Sequence, residues 1–229
     1  MTADPTLLRA FEIVGTAVAA GALVLSLRER KPFYLGLFVA CVLMIFWDWT
    51  FNTTWFFNVR FDTRLAALWT IGGEDEPYAA ALAYVGFYYF VFHFLVKFSA
   101  KLDARFGRLQ YPLLYVASCA YVLVFEAIFV GQGVWTYYQK PAFELAGVAW
   151  SNAFFNAHLI VFSYAMLRLF RRWMGIDDTL VGLRVRSEEY WKQFVAAVGA
   201  VHTGFFGAFV VQMGWYIAAQ PWIDGPRHF

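Results

Sequence analysis

Six apolar stretches, each near or beyond the roughly 20 residues that cross a bilayer as a helix, constrain this chain more than anything else in it. They cover residues 11–27, 33–57, 78–98, 111–134, 145–170 and 194–219. Hydrocarbon offers no partner to a backbone N–H or C=O, so each stretch must satisfy its own and is expected as a helix. The expected fold class is all-α: a single transmembrane domain over residues 1–229, built as a polytopic helical bundle of about six spans. With 61% hydrophobic and only 15% charged residues, there is too little polar surface to cover a water-soluble body of this size.

The cations predict the orientation, because Lys and Arg near span ends are retained on the cytoplasmic side. Arg28, Arg30 and Lys31 follow the first span, and Lys97, Lys101, Arg105 and Arg108 follow the third. Arg168, Arg171, Arg172, Arg184, Arg186 and Lys192 lie between the fifth and sixth. The alternate loops balance Arg60 and Arg64 with Asp62, Glu74, Asp75 and Glu76, or hold only Lys140 and Glu144. They are therefore expected on the non-cytoplasmic side, together with both termini. The first span lacks a basic lead and a small-residue cleavage site, so it reads as a retained anchor. The basic loops serve topology rather than nucleic acid, and the bilayer is the expected macroscopic partner. Cys41 and Cys119 both fall inside spans, where a disulfide framework is not expected.

An offset of 78 residues superposes Cys41 on Cys119 and Asp48 on Glu126, aligning "CVLMIFWDWTF" with "CAYVLVFEAIF". An aromatic exit follows each, and "VQMGWYIAAQP" at the end of the sixth span resembles "GQGVWTYYQKP" at the end of the fourth. The pattern suggests three helical hairpins of common plan.

Asp48 and Glu126 are the principal candidates for chemistry. A carboxyl group inside hydrocarbon costs several kcal/mol and is by default a functional group. Removal from water favours its protonated form, which suits it to deliver a proton to an apolar substrate. Pairing with Arg60, Arg64 or Lys140 at the outer interface is the alternative for either acid. If the second helix continues, Asp48, Asn52 and Trp55 share one of its faces. Aromatic residues make up 21% of the chain. Many form interfacial belts, while Trp47, Trp55, Trp135, Tyr137 and Trp150 are candidates to line a pocket whose π faces tolerate a cation. Asn152 and Asn156, one helical turn apart, either orient a substrate or join two helices. His93, His158 and His202 fall in or near spans, His158 being the candidate for the pocket. Their spacing matches no metal motif, and neither metal nor cofactor is expected. No nucleotide loop, nucleophile elbow or Asp-rich diphosphate motif is present.

The run "SLRERKPFYLGLFVACVLMIFWDWTF" resembles the second span of the small integral-membrane terpene cyclases of fungal meroterpenoid and indole-diterpene pathways. "VKFSAKL", the Trp150 and Asn156 pair, the Arg171-Arg172 exit and "EYWKQFVAAVGAVHTGFF" resemble that family in order and spacing. The resemblance implies protonation of a terminal epoxide or alkene and guided ring closure without metal. It carries the family acid to Asp48, where the family has glutamate, and Glu126 is expected to supply a second carboxyl. The expected function is thus a membrane-bound terpenoid cyclase acting on an apolar prenylated small molecule. A proton-coupled transporter or channel, and a pigment- or haem-binding membrane subunit, are the alternatives.

Overall fold

The computed structural model describes residues 3–49, 59–71, 74–137, 144–145, 148–176 and 187–219, without the side chains of residues 48, 49, 71, 74, 144, 145, 216 and 219. The chain is mostly helical. Its elements are α1 (Pro5–Arg28), α2 (Pro32–Trp49), β1 (Val59–Phe61), β2 (Ala67–Ile71), β3 (Glu74–Pro77), α3 (Tyr78–Lys97), α4 (Ser99–Phe106), α5 (Gln110–Gly131), β4 (Trp135–Tyr137), β5 (Glu144–Leu145), β6 (Val148–Ala149), α6 (Trp150–Trp173) and α7 (Ser187–Ala219). Five helical segments are long and apolar enough to cross a membrane: α1, α3, the continuous α4–α5 segment, α6 and α7. Over its described length α2 is apolar but shorter. The outward faces are also apolar, with Ile13, Val116 and Val210 62%, 65% and 67% exposed. A surface of that kind belongs in lipid, and the chain is an integral membrane protein.

Local chemistry sets the helix ends. Asp4 caps α1, its carboxylate accepting from the Thr6 amide at 2.6 Å, with Pro5 in the first turn. Gly133, at φ 71°, ends α5: the Val134 amide reaches back to the Phe129 carbonyl at 3.0 Å, and the chain turns directly into β4. At the opposite end of the bundle, Glu29 binds Lys97 at 2.7 Å and His93 at 3.3 Å. Arg168 pairs there with Asp103.

Small residues let the helices close on one another. A Cβ on Gly15 would lie 2.4 Å from the Ala79 carbonyl oxygen, which measures the approach of α1 to α3. Gly36 stands in the same relation to Phe194, joining α2 to α7, and Gly204 to Ser163, joining α7 to α6. α5 packs chiefly on α6, whereas α2, which the sequence offset superposes on it, packs on α7 and α3. The three hairpins expected from the sequence offset therefore have different packing partners.

Two features differ from the sequence expectation. The connections between spans are not plain loops: β1 pairs antiparallel with β4, β2 with β3, and β5 with β6. These strands pair backbone groups at one end of the bundle. The β5–β6 pair also moves the start of the fifth helix to Trp150, five residues later than expected. The sixth span begins earlier, at Ser187, because polar residues extend the helix beyond its apolar part. The expected extension of the second span to residue 57 lies outside the described residues beyond Trp49.

Asp62, which follows β1, carries a pH dependence. The Arg64 guanidinium binds both of its carboxyl oxygens, at 2.9 and 2.6 Å, and holds the group down at about 2. Arg64 also donates to the Ala3 carbonyl at 2.6 Å, tying the chain's start to the strand end. The folded value lies below the unfolded one of about 3.9. The stabilisation is therefore complete above that value and is lost as pH falls through about 2. Amide exchange over residues 59–71, corrected for intrinsic rates, should stay constant from neutral pH to about 5 and accelerate below about 4. Asp62→Asn should abolish that acid step, and an identical step in the variant would contradict the assignment.

Candidate functional site

Glu126 lies near the end of α5 and is almost wholly buried. The Asn152 amide donates to Oε1 at 2.7 Å and the Trp135 indole N–H to Oε2 at 3.2 Å. The Tyr137 hydroxyl also donates to Oε2. Trp135 and Tyr137 arrive together because alternate residues of a strand share a face. β4, started by the Gly133 turn and held by Phe61↔Trp135 and Val59↔Tyr137 pairing, folds that face back over α5. Asn152 and Asn156 come from α6, one turn apart. The Asn156 amide donates to the Asn152 Oδ1 at 2.7 Å and to its backbone carbonyl at 2.9 Å, and the Tyr88 hydroxyl from α3 donates to Asn156. β4 and α6 thus converge on the buried carboxyl group of α5, and α3 joins the cluster through Asn156.

The cluster closes one end of a cavity of about 390 Å³. Its walls come from α1, α3 and α5, and Glu126, Trp135, Asn152 and Asn156 are among its lining. Phe87 stacks on Tyr121 at 5.0 Å, Phe125 meets Phe129 at 4.4 Å, and Phe129 stacks on Trp135 at 5.0 Å. These rings run as a nearly continuous track to the carboxyl group. Val14, Phe94 and Tyr121 line the cavity and are also exposed on the outer surface, so the cavity opens sideways between α1, α3 and α5, where lipid lies. From Ala80 to Phe94 it follows α3 for roughly 20 Å, at 1.5 Å per residue.

Of the residues singled out in the sequence, Glu126, Trp135, Tyr137 and Asn156 meet at this site. Asn152, which the sequence presented only as a substrate-orienting or helix-joining group, is a direct partner of the acid. Tyr88 had no signal beyond being one aromatic residue among many. Glu126 does not pair with Arg64, whose guanidinium is engaged by Asp62 and Ala3. Trp47 lies elsewhere: it is 42% exposed and packs edge-on to Phe206 at 5.5 Å, because residues 46 and 47 fall on the outer face of α2. Trp150 is half-buried against Phe154 and does not line the cavity. His158 packs on Tyr115 and Phe162, outside the cavity lining. Asn52 and Trp55 lie outside the described residues, and so does the side chain of Asp48.

The three histidines expected in or near spans are dispersed, His93 against Glu29 and Tyr89, His158 against Tyr115, and His202 on the Val198 carbonyl of its own helix. No group of three or more His, Cys, Asp or Glu side chains placed to hold a metal occurs among the described residues. Both cysteines are free. Comparison with family models, with curated proteins and with solved structures finds no match for this chain.

Proposed function

We propose that this protein is a membrane-bound terpenoid cyclase of six crossings that draws a prenyl or epoxy-prenyl lipid into the cleft and starts ring closure with a proton from Glu126. The observation that carries the reading is the buried Glu126 carboxyl, the one acid lining this cavity among the described residues, at the polar end of otherwise apolar, aromatic walls. A proton donor there meets substrate away from water, and a cation that would be captured by solvent can survive. The proton goes from the carboxyl oxygen to the terminal alkene carbon or epoxide oxygen. The positive charge then develops beside Phe125, Phe129 and Trp135, whose π faces attract it. Loss of a proton from a carbon next to the final cation ends the reaction and restores the acid, so the product is an isomer of the substrate.

Three donors hold the Glu126 carboxyl in one orientation. One of them, the Tyr137 hydroxyl, can also accept, so the pair keeps its hydrogen bond whether or not the carboxyl carries the proton. The resemblance makes Asp48 the proton donor and Glu126 the second carboxyl; in this reading the two exchange roles, and Asp48 is the second acid. In this reading the Arg- and Lys-rich turns face the cytoplasm, and the strands lie outside with both termini, because Lys and Arg near span ends are retained on the cytoplasmic side. The test is conversion by purified protein in lipid, which should turn a prenyl or epoxy-prenyl chain into a cyclised product of unchanged mass. Folded Glu126→Gln protein should not do so, and undiminished conversion by that variant would contradict the reading.

A further inference from the structure

We infer that the substrate enters the cleft by its alkene or epoxide end and carries at its other end a phosphate ester, held between Arg28 of α1 and Lys101 of α4. The inference rests on the reading above for the cleft being the substrate site, and it gives the substrate its direction and its head group.

The direction follows from where the acid lies. Glu126 closes one end of the cavity, so the atom that receives its proton must stand there, and the rest of an extended chain leads away along α3. The lining of α3 ends at Phe94, roughly 20 Å from Ala80. The α5 wall reaches no further back than Tyr121, so the far part of the cleft lies between α1 and α3.

The aromatic wall continues past the cavity. Phe90 stacks on Phe94 at 6.3 Å and Phe94 on Phe98 at 6.2 Å, with ring planes 19° and 9° apart. The Lys101 ammonium stands over the Phe98 ring, 5.5 Å from its centre. On the facing helix, Arg28 follows the lining residue Val14 by just under four turns and so returns to nearly the same side of α1. Beside it, Glu29 binds Lys97 at 2.7 Å, which fixes this end of α1 against α3.

Lys97 is thus compensated by Glu29, but neither Arg28 nor Lys101 meets a carboxylate among the described residues. Topology asks only that cations lie at this end of the bundle; it does not ask that two of them stand where the chain leaves the cleft. A phosphate ester suits that point, because its charged oxygens take Arg and Lys together in charge-assisted hydrogen bonds. A neutral ether brings no charge to meet them, and an ammonium head is repelled. The same charge sets the order of entry: an anion is costly to draw between apolar walls, so the alkene end goes in first. The head takes no part in the bond changes. The proton from Glu126 arrives at the far end of the chain and the one lost leaves a chain carbon, so the ester stays intact and the product remains an isomer.

The test is binding of tritiated geranylgeranyl monophosphate, and of tritiated geranylgeranyl methyl ether, to the protein in phosphatidylcholine nanodiscs, with unlabelled ester, unlabelled ether and inorganic phosphate as competitors. These discs carry lipid phosphate throughout, so a preference measured in them belongs to the prenyl ester and not to a lipid head group. The ester should compete at least about tenfold better than the ether, the effect of two cations at a membrane surface. Inorganic phosphate, with no chain to bury, should not compete. In the double variant Arg28→Gln with Lys101→Gln the ester's advantage should fall by about fivefold or more, while ether binding is kept. Equal competition by ester and ether, saturable binding of the ether alone, displacement by inorganic phosphate, or an advantage unchanged in the double variant overturns the head group and leaves the cleft as a substrate site. Absence of saturable binding by both ester and ether overturns both.

Discussion

Glu126→Gln protein should lose turnover by about a hundredfold to ten-thousandfold, the range over which a positioned proton donor contributes. Glutamine keeps the volume of the side chain and removes its proton. It also has one oxygen where glutamate has two. Trp135, Tyr137 and Asn152 aim donors at both positions, so one of them must face the new amide group. That mismatch costs about 1–3 kcal/mol of stability, which thermal unfolding in detergent measures separately from rate. Glu126→Asp keeps the proton but withdraws it by one methylene, and should retain partial turnover. Asp48→Asn in the same assay separates the two carboxyl groups: the larger fall belongs to Glu126. Full activity in folded Glu126→Gln protein would move the proton donor elsewhere.

Gly204→Leu should produce the largest loss of stability. A Cβ at Gly204 would lie 2.3 Å from the Ser163 Cα and 2.4 Å from its nitrogen, so the obstacle is the backbone of α6 rather than a side chain that can rotate away. α6 and α7 would have to separate, and α6 carries Asn152 and Asn156. Overpacking of this kind costs about 3 kcal/mol or more, equivalent to roughly 10 °C in Tm for a chain of this length. Gly214, on the same helix, meets nothing within 4 Å. Gly214→Leu should be neutral or slightly stabilising, since glycine is a poor helix former. Equal effects of the two substitutions would show that the α6–α7 contact is not what limits stability.

The helices were legible because their cause is local. Each span carries enough apolar residues in sequence to declare itself, whatever its neighbours are. The site was legible only in part, and the difference follows from which residues have a local signal. Glu126 stands out as a charge in an apolar run, and the Asn152 and Asn156 pair shows at helical spacing. Trp135 and Tyr137 were named as aromatic residues at a span end. Their position against Glu126 comes from the Gly133 turn and from pairing with β1, more than 70 residues earlier in the chain, a relation no window of sequence contains. Trp47 misled for the opposite reason. It is adjacent to Asp48 in sequence, yet neighbours on a helix point about 100° apart, and its ring packs on Phe206 at the surface. Tyr88 could not be told from the other aromatic residues of α3, because only the position of α6 gives it a partner.

The central claim is that the cleft between α1, α3 and α5 receives the reacting lipid. A prenyl chain carrying a diazirine, irradiated with the protein in lipid and mapped by mass spectrometry, tests it most directly. The account predicts labelling at cavity residues such as Tyr84, Phe87 and Phe125, suppressed by excess unlabelled chain. Labelling confined to outward-facing positions such as Ile13, Val116 and Val210, and unaffected by competitor, would contradict it.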